Sequence, residues 1–454
     1  MNKHVKSLAI LTLLFFMWGF ITSLNDILIP YLKTVFNLSN VQSVLVQFAF
    51  FLAYFVGALA YFIASLSFGD PINKIGYKKT IFIGLIISGI GCLLFVPASI
   101  AEVYGLFLAA LFVLGLGLTV LQISCNPIVI LLGDPESASG RLNLTQAFNS
   151  LGTTLAPVVG GYFIFKFFAI DGVLTAENVK IPYIILGALF LVVAFFFSFS
   201  KIPSFKSEDN ITGDVSVLKF GQLKWGVLSI FCYVGAEVAV GSLMIGYLGH
   251  ENVLGLDHME ASTYLAYFYW GGAMIGRFLG GINISDQPLG KRVLQSLGII
   301  ALIVPFIVYL AGVPVAEMWP YFIFIAINLL LMLFIGENAR LMLGVFAIVN
   351  IAFLIITVIE VPGLMVWPIL SIGLFNSIMW SNIFSLSTKG LGKYTSQGSS
   401  LLIMAILGGA LVPLLQGYFA DQFSIGFSFI VPMVCYFYLF VYTIRYNKIY
   451  TKID

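Results

Sequence analysis

Apolar stretches of about 20 residues follow one another along this chain, separated by short polar breaks. A stretch of this length spans a bilayer as a helix, the conformation that satisfies its own backbone hydrogen bonds in lipid. Only 9% of the residues are charged, against about a quarter in soluble domains. The mean hydropathy is +1.04. The sequence therefore predicts an all-α polytopic membrane protein and excludes a water-soluble fold.

Fourteen transmembrane helices are predicted, six before a polar segment at 201–224 and eight after it. Their ranges are 8–33, 41–68, 79–99, 102–132, 140–169, 181–200, 225–249, 258–282, 291–311, 318–335, 341–359, 364–388, 396–420 and 424–445. If the chain starts inside, all but three of the 22 Lys and Arg residues are cytoplasmic, the exceptions being Lys33, Lys166 and Lys180. We therefore expect both termini to be cytoplasmic, and a first helix that is retained rather than cleaved as a signal peptide.

An internal repeat organises these helices. Residues 152–163 and 408–419 are identical at six of twelve positions, at an offset of 256, whereas 15–32 matches 231–248 at an offset of 216. The 40 residues gained between the two matches correspond to two helices of about 20 residues each. The sequence therefore predicts a duplicated six-helix unit with a helix pair inserted in the second copy, at about 291–335.

This organisation divides the chain into an N-terminal six-helix bundle (1–200), a cytoplasmic linker (201–224) and a C-terminal bundle that includes the inserted pair (225–454). Two six-helix halves in the same orientation are the plan of the major facilitator fold. In that plan the substrate binds near the bilayer midplane, between halves that rock about it.

Two carboxylates lie well inside predicted helices. Asp26, in "LNDILIP", is about seven residues from Lys33 and thus roughly 10 Å below the surface. Glu237 is surrounded by small residues in "YVGAEVAVGS". Charges in a bilayer are costly and therefore point to function, although snorkelling would also account for Asp26 and close helix packing for Glu237. We predict that both carboxylates contribute to substrate binding and ion coupling.

Amide side chains accompany these carboxylates. Gln122 and Asn126 share one face of a predicted helix, and Asn143, Gln146 and Asn149 share one face of the next. A further predicted helix contains Asn376 and Asn382. Each amide alone could equally form a hydrogen bond that joins two helices. Together they favour a neutral polyhydroxylated substrate, a sugar, over a phosphate, which would require a central Arg or Lys. We identify no central cation. The predicted substrate-binding residues are Asn25, Asp26, Gln122, Asn126, Gln146, Asn149, Glu237 and Asn376.

Gating contacts are predicted at Asp70 and Asp286, which are repeat-equivalent residues at cytoplasmic helix ends, together with Arg277. Trp18, Trp270 and Trp380 could stack on a sugar ring, but most membrane tryptophans are anchors or packing residues. The scattered cysteines and histidines predict no metal site, cofactor or catalytic constellation, and the absence of a basic block argues against nucleic acid. We expect a monomer.

Several motifs in register resemble the fucose–galactose–glucose symporter family of the major facilitator superfamily. They include "LNDILIP", "LQISCNPIVILLG", "GRLNLTQAFNSLGTTLAPVVGG", "FCYVGAEVAVGS", "IGRFLGG" and "LGGALVPLLQGYFAD". The resemblance implies monosaccharide uptake driven by a cation gradient, with Asp26 at the position of a protonated, sugar-binding aspartate. Where fucose symporters have a helix-4 glutamate this chain has Gln122, and it has Glu237 where they have glutamine. The resemblance thus favours the glucose/galactose branch, and fourteen helices in place of twelve are a further departure.

The predicted mechanism is cation symport by alternating access. Burial in a dry cavity favours the neutral form of Asp26, so a proton, or a sodium ion beside the carboxylate, would neutralise it before the loaded carrier changes its facing. Two alternatives remain open from the sequence: an exporter of sugars or drugs on the same fold, and a sugar sensor that does not transport. An enzyme is not predicted.

Overall fold

In the computed structural model, the residues described are 3–69, 71–132, 138–168, 174–200, 216–283, 287–336, 338–361, 363–391 and 394–450. These residues form fourteen successive helical rods and contain no strand. Eleven of the helices are long and apolar enough to cross a membrane, and a twelfth, Trp319–Ile335, is apolar but shorter. The all-helical membrane fold predicted from hydropathy is therefore confirmed.

The first set of helices contains six rods. They are α1 (Lys3–Phe36), α2 (Leu45–Phe68), α3 (Tyr77–Leu93), α4 (Tyr104–Leu131), α5 (Ala138–Gly161) and α6 (Lys180–Ser198). A short helix at Asn40–Ser43 leads into α2, the helix Phe95–Ala101 prolongs α3, and a π-helix at Tyr162–Phe167 prolongs α5.

The second set contains eight rods, four of them interrupted. They are α7 (Gly221–Leu248), α8 (His258–Tyr264, the π-helix Leu265–Trp270, and Gly271–Asn283), α9 (Leu289–Ala311), α10 (Trp319–Ile335), α11 (Ala339–Val358), α12 (Val366–Asn376 and Met379–Thr388), α13 (Thr395–Met404, the 3₁₀ turn Ala405–Leu407, and Gly408–Gln422) and α14 (Ile425–Ser428 and Ile430–Ile449).

Fourteen rods match the fourteen predicted helices, but several boundaries differ. α1 begins at Lys3 and α7 at Gly221, each a few residues before the predicted start. A hydropathy boundary marks where the lipid core begins, whereas a helix continues into the polar interface as long as its backbone bonds persist. Most of the predicted linker, 201–215, lies outside the described residues.

The two sets pack internally in a corresponding manner. In the first set α1 packs on α5, α4 packs on α2 and α3, and α3 packs on α6. In the second set α7 packs on α13, α12 packs on α8 and α11, and α11 packs on α14. α9 contacts mainly α8, and α10 lies against α8 and α12, so both helices lie to one side of this pattern.

Repeat-equivalent glycines explain one pair of these contacts. Gly152 of α5 lies directly against the backbone carbonyl of Phe16 in α1, and Gly408 of α13 against that of Phe231 in α7. A side chain at either glycine would collide with the facing backbone, so glycine permits each pair of helices to approach closely. The interface between the two sets is formed chiefly by α5 against α8 and by α2 against α13.

Candidate functional site

A cavity of about 750 Å³, including space open to solvent, lies between the two sets of helices. Its walls come from α1, α2, α4 and α5 on one side and from α7, α8, α12 and α13 on the other. The lining residues include Trp18, Thr22, Tyr54, Gln122, Gln146, Asn149, Thr153, Tyr233, Glu237, Trp270, Arg277 and Trp380.

The wall from the first set is neutral and rich in hydrogen-bonding groups. Gln146, Asn149 and Thr153 are spaced by three and four residues and therefore share one face of α5, and Gln122 of α4 lies on the same wall. Asn149 donates to the backbone carbonyl of Phe15 at 3.0 Å, which fixes its amide and leaves its carbonyl oxygen as an acceptor. Three of the predicted amides are thus brought together in one cavity.

The opposite wall contains an ion pair. Glu237 of α7 accepts a hydrogen bond from the Tyr233 hydroxyl at 2.8 Å, and its Oε1 lies 4.0 Å from Nη2 of Arg277 in α8. Arg277 also donates to the backbone carbonyl of Ser377 at 3.2 Å and to the hydroxyl of Ser150 in α5. The guanidinium therefore links the two sets of helices while its charge is balanced by Glu237.

The position of Arg277 corrects the sequence analysis. The sequence predicts Arg277 at a cytoplasmic gate and no central cation, whereas the structure places this guanidinium in the cavity wall beside Glu237. The prediction rested on the repeat symmetry of Asp70 and Asp286, near which Arg277 was expected to lie. The sequence does contain a signal for a position in the cavity wall, because Arg277 follows Trp270 by seven residues, or two helical turns, and so shares its face of the helix.

Asp26 lies behind the cavity wall and is only 3% exposed. Its carboxylate accepts hydrogen bonds from Trp270 Nε1 at 2.9 Å, Gln47 Nε2 at 3.1 Å and Ser23 Oγ at 3.3 Å. Trp270 belongs to the second set and also lines the cavity, so one indole joins the carboxylate to the site. Among the described residues, no Lys or Arg forms an ion pair with Asp26.

Three other predicted residues lie outside the lining of the cavity. Asn25 is fully buried and donates to Gln47 Oε1 at 3.5 Å, so it belongs to the support of Asp26. The Oδ1 of Asn376 accepts hydrogen bonds from Asn350 and Tyr436 within the second set, and Asn126 does not line the cavity. Direct contact of these three residues with a substrate remains a prediction.

The remaining predicted residues differ in what can be said of them. Asp70 and Asp286, the predicted gating carboxylates, lie outside the described residues. Trp18, Trp270 and Trp380 all line the cavity, and they provide flat apolar faces beside the amides. Tyr233 and Thr153 were not singled out from the sequence, although Tyr233 precedes Glu237 by one helical turn and so shares its face.

Contacts between α13 and the short helix Asn40–Ser43, which leads into α2, close one end of the interface between the two sets. We call it the outer end, after the predicted orientation. Asp421 accepts hydrogen bonds from the backbone N–H of Asn40 at 3.0 Å and of Val41 at 2.9 Å, and from Asn40 Nδ2 at 2.6 Å. A carboxylate at these first N–H groups of a helix caps its N-terminus, here across the two sets.

We expect the substitution Asp421→Asn to open this end, because its amide places an N–H₂ group against N–H donors. In a background without the four native cysteines, a cysteine introduced at the buried Leu243, which packs against Val44 and Ala420, would report the opening. Impermeant maleimide should label that cysteine about five times faster from the outer side. The exposed neighbour Gln422→Ala is the control, and equal labelling in both variants would contradict the capping role.

Comparison with known proteins identifies the class to which this fold and cavity belong. Residues 11–337 match the model of the Major Facilitator Superfamily. A crystal structure of the fucose:proton symporter of Escherichia coli superimposes with a TM-score of 0.68 at 27% identity, covering 98% of this chain and 99% of that one. The protein is therefore a major facilitator transporter and not an enzyme.

Relatives in sequence narrow the class further. A glucose/galactose transporter of Brucella abortus biovar 1 (strain 9-941) is 43% identical over 447 residues, covering 97% of this chain and 94% of the relative. The L-fucose-proton symporter of Escherichia coli (strain K12) is 29% identical over 470 residues, covering 97% and 93%. The chain belongs to the fucose–galactose–glucose symporter family, in its glucose/galactose branch, as its sequence motifs predict.

Proposed function

We propose that the protein imports a neutral monosaccharide of the glucose/galactose type by proton symport through alternating access. The observation that carries this proposal is Asp26, a buried carboxylate hydrogen-bonded to Trp270 of the opposite helix set beside an amide-lined cavity. Relatives named as a glucose/galactose transporter and an L-fucose-proton symporter support both parts of the proposal.

A neutral substrate fits the charge of the cavity. The cation of Arg277 is balanced by Glu237, and the other polar lining groups are amides, hydroxyls and indoles. Gln122, Gln146 and Asn149 offer donors and acceptors to sugar hydroxyls, while tryptophan rings can stack on the apolar face of a pyranose. A phosphorylated sugar would need a guanidinium free to form bidentate bonds, and Arg277 is already engaged.

A proton suits the surroundings of Asp26 better than sodium does. All three polar groups in hydrogen-bond contact with its carboxylate are placed as donors, and the indole N–H of Trp270 can act only as a donor. A hard cation requires a shell of oxygen ligands. Donor groups instead stabilise the ionised carboxylate once the proton has left, which helps to release the proton inside the cell.

The proposed architecture has two six-helix halves of the same topology, 1–200 and 225–454, joined by the linker 201–224, with α9 and α10 as the inserted pair. The corresponding packing of the two sets supports this assignment, because α11 occupies the place of α3 against α12 and α14. The halves would rock about the cavity of a single chain. We place the protein in a bacterial inner membrane with both termini in the cytoplasm.

The proposed cycle starts when Asp26 takes a proton from the outer side and the cavity takes a sugar. The loaded carrier then closes its outer end, where Asp421 caps the short helix Asn40–Ser43, and releases sugar and proton inward. Glu237 stays paired with Arg277, so we assign it to the substrate site and Asp26 to coupling.

Uptake of radiolabelled glucose and galactose into proteoliposomes tests the proposal. We expect accumulation under an inward proton gradient and none under a sodium gradient alone. Accumulation driven by sodium would overturn the choice of ion. Counterflow without accumulation under either gradient would overturn symport, as would proton-driven efflux, and binding without any flux would indicate a sensor.

A further inference from the structure

The π-helix of α8, Leu265–Trp270, is a junction between three neighbouring helices. Three consecutive residues of this turn make separate polar contacts. The carbonyl of Phe268 accepts from Tyr321 of α10 at 2.7 Å, the hydroxyl of Tyr269 donates to the carbonyl of Glu237 in α7 at 2.8 Å, and Trp270 donates to Asp26 of α1 at 2.9 Å. The turn therefore joins the proposed inserted helix to the carboxylate of Asp26 and to the backbone of Glu237.

α10 directs its buried polar groups at backbone carbonyls near irregular points of the neighbouring helices. The Tyr321 hydroxyl binds within the π-helix of α8, and Asn328 Nδ2 donates to the carbonyl of Leu374 at 3.2 Å, close to the break in α12 after Asn376. Tyr321 is 1% exposed and Asn328 is fully buried. A helix that only filled space beside lipid would have no need to bury such groups, which are costly without partners.

The position of the Tyr321 hydroxyl is tightly constrained. Gly272, two residues beyond the π-helix, leaves room for it, since a Cβ at Gly272 would lie 2.6 Å from that oxygen and 3.2 Å from Cγ of Leu374. The Tyr321 ring also packs edge-on against Phe268, with 5.2 Å between centroids. The Tyr321 hydroxyl and the Phe268 carbonyl thus lie where α8, α10 and α12 meet.

The π turn determines where Trp270 points. A π-helix accommodates one residue more per turn than regular α-helical bonding would. Each residue of an α-helix advances by about 100° around the helix axis. If the π turn returned to regular α-helical bonding, Trp270 and Arg277 would therefore rotate about that axis relative to the first turns of α8. Trp270 would then no longer face Asp26, and Arg277 would turn away from Glu237.

We propose that α10 is an internal brace that holds the π-helical register of α8, with Tyr321 as a positioning residue for proton coupling. This inference rests on the proposed proton symport. The inserted pair then has a role in transport without contacting the sugar: Tyr321 stabilises the turn that brings Trp270 to Asp26, and Asn328 holds the adjoining end of α12.

The test compares Tyr321→Phe with the matched control Tyr309→Phe in proteoliposomes. Both changes remove one hydroxyl from the proposed inserted pair, but Tyr309 of α9 is 83% exposed, whereas Tyr321 is 1% exposed. We expect Tyr321→Phe to lower proton-driven uptake about fivefold while sugar counterflow stays within about twofold of wild type. Tyr309→Phe should leave both rates unchanged. Equal losses of uptake and counterflow in Tyr321→Phe would overturn the role in coupling.

The variant Trp270→Phe separates the brace from the proposed function. If Tyr321 acts through Trp270, the double variant should be no worse in proton-driven uptake than Trp270→Phe alone, whereas independent effects would multiply. Normal proton-driven uptake in Trp270→Phe would overturn the coupling role of the Asp26–Trp270 contact itself. A defect in Trp270→Phe with wild-type behaviour in Tyr321→Phe would overturn the brace alone.

Discussion

Replacement of Asp26 by Asn abolishes proton-driven accumulation of sugar, by at least about a hundredfold, while sugar counterflow continues. An amide has nearly the shape of the protonated carboxyl group, so the loaded carrier can still change its facing. It cannot release a proton, and the empty carrier therefore gains nothing from the gradient. The measurement is radiolabelled glucose uptake with an imposed pH gradient, set beside exchange at equal pH.

The neighbouring variant Asn25→Ala is the control, because Asn25 is buried beside Asp26 but carries no proton. It should weaken uptake without uncoupling it from the gradient. Sustained accumulation in Asp26→Asn would remove Asp26 from the mechanism and move the search for a coupling group to Glu237.

The second large effect is expected from Arg277→Gln. This change leaves the carboxylate of Glu237, whose side chain is 14% exposed, without its cation. Because both side chains are only partly buried, the loss of one partner costs about 2 kcal/mol, less than in a fully buried pair, and this would reduce sugar affinity about thirtyfold if it falls on the binding-competent state. Thermal unfolding in detergent and equilibrium sugar binding measure the two consequences separately.

The double variant Arg277→Gln/Glu237→Gln is the informative partner of this experiment. It removes both charges and should recover most of the lost thermal stability, since a neutral pair carries no unpaired charge. If the double variant is as unstable as Arg277→Gln, then the cost arises from the lost bonds of Arg277 to Ser150 and Ser377 rather than from the charge of Glu237.

Hydropathy predicted the helices well because lipid imposes a simple rule on length and polarity. Asp26 could be singled out for the same reason, since a carboxylate in an apolar helix has few explanations. The partners of polar residues could not be predicted. Asn376 looks like Asn149 in sequence, yet one bonds inside the second set and the other lines the cavity. Only the rotation of each helix, set by packing, distinguishes them.

The π-helix of α8 shows a second limit. The letters "LAYFYW" fit an ordinary helix, and nothing in them indicates an extra residue in the turn. The irregular register is set by what surrounds it: the Tyr321 hydroxyl, the close passage of Gly373 along the Tyr269 backbone, and the bond from Trp270 to Asp26. The local sequence encodes where a helix begins and ends, whereas the rotation of the helix about its own axis depends on distant residues that pack against it.

The absence of a counter-ion for Asp26 among the described residues has a consequence for energy conversion. A carrier loaded with sugar and proton has a neutral Asp26, so its reorientation is indifferent to voltage. The empty carrier returns with one negative charge, and the membrane potential acts on that step. At about 2.3 kcal/mol per charge for every 100 mV, one proton per sugar sustains about a fiftyfold concentration ratio from voltage alone. The number of protons carried per sugar sets this ratio, whereas the lack of a counter-ion beside Asp26 makes the return of the empty carrier the step that responds to voltage.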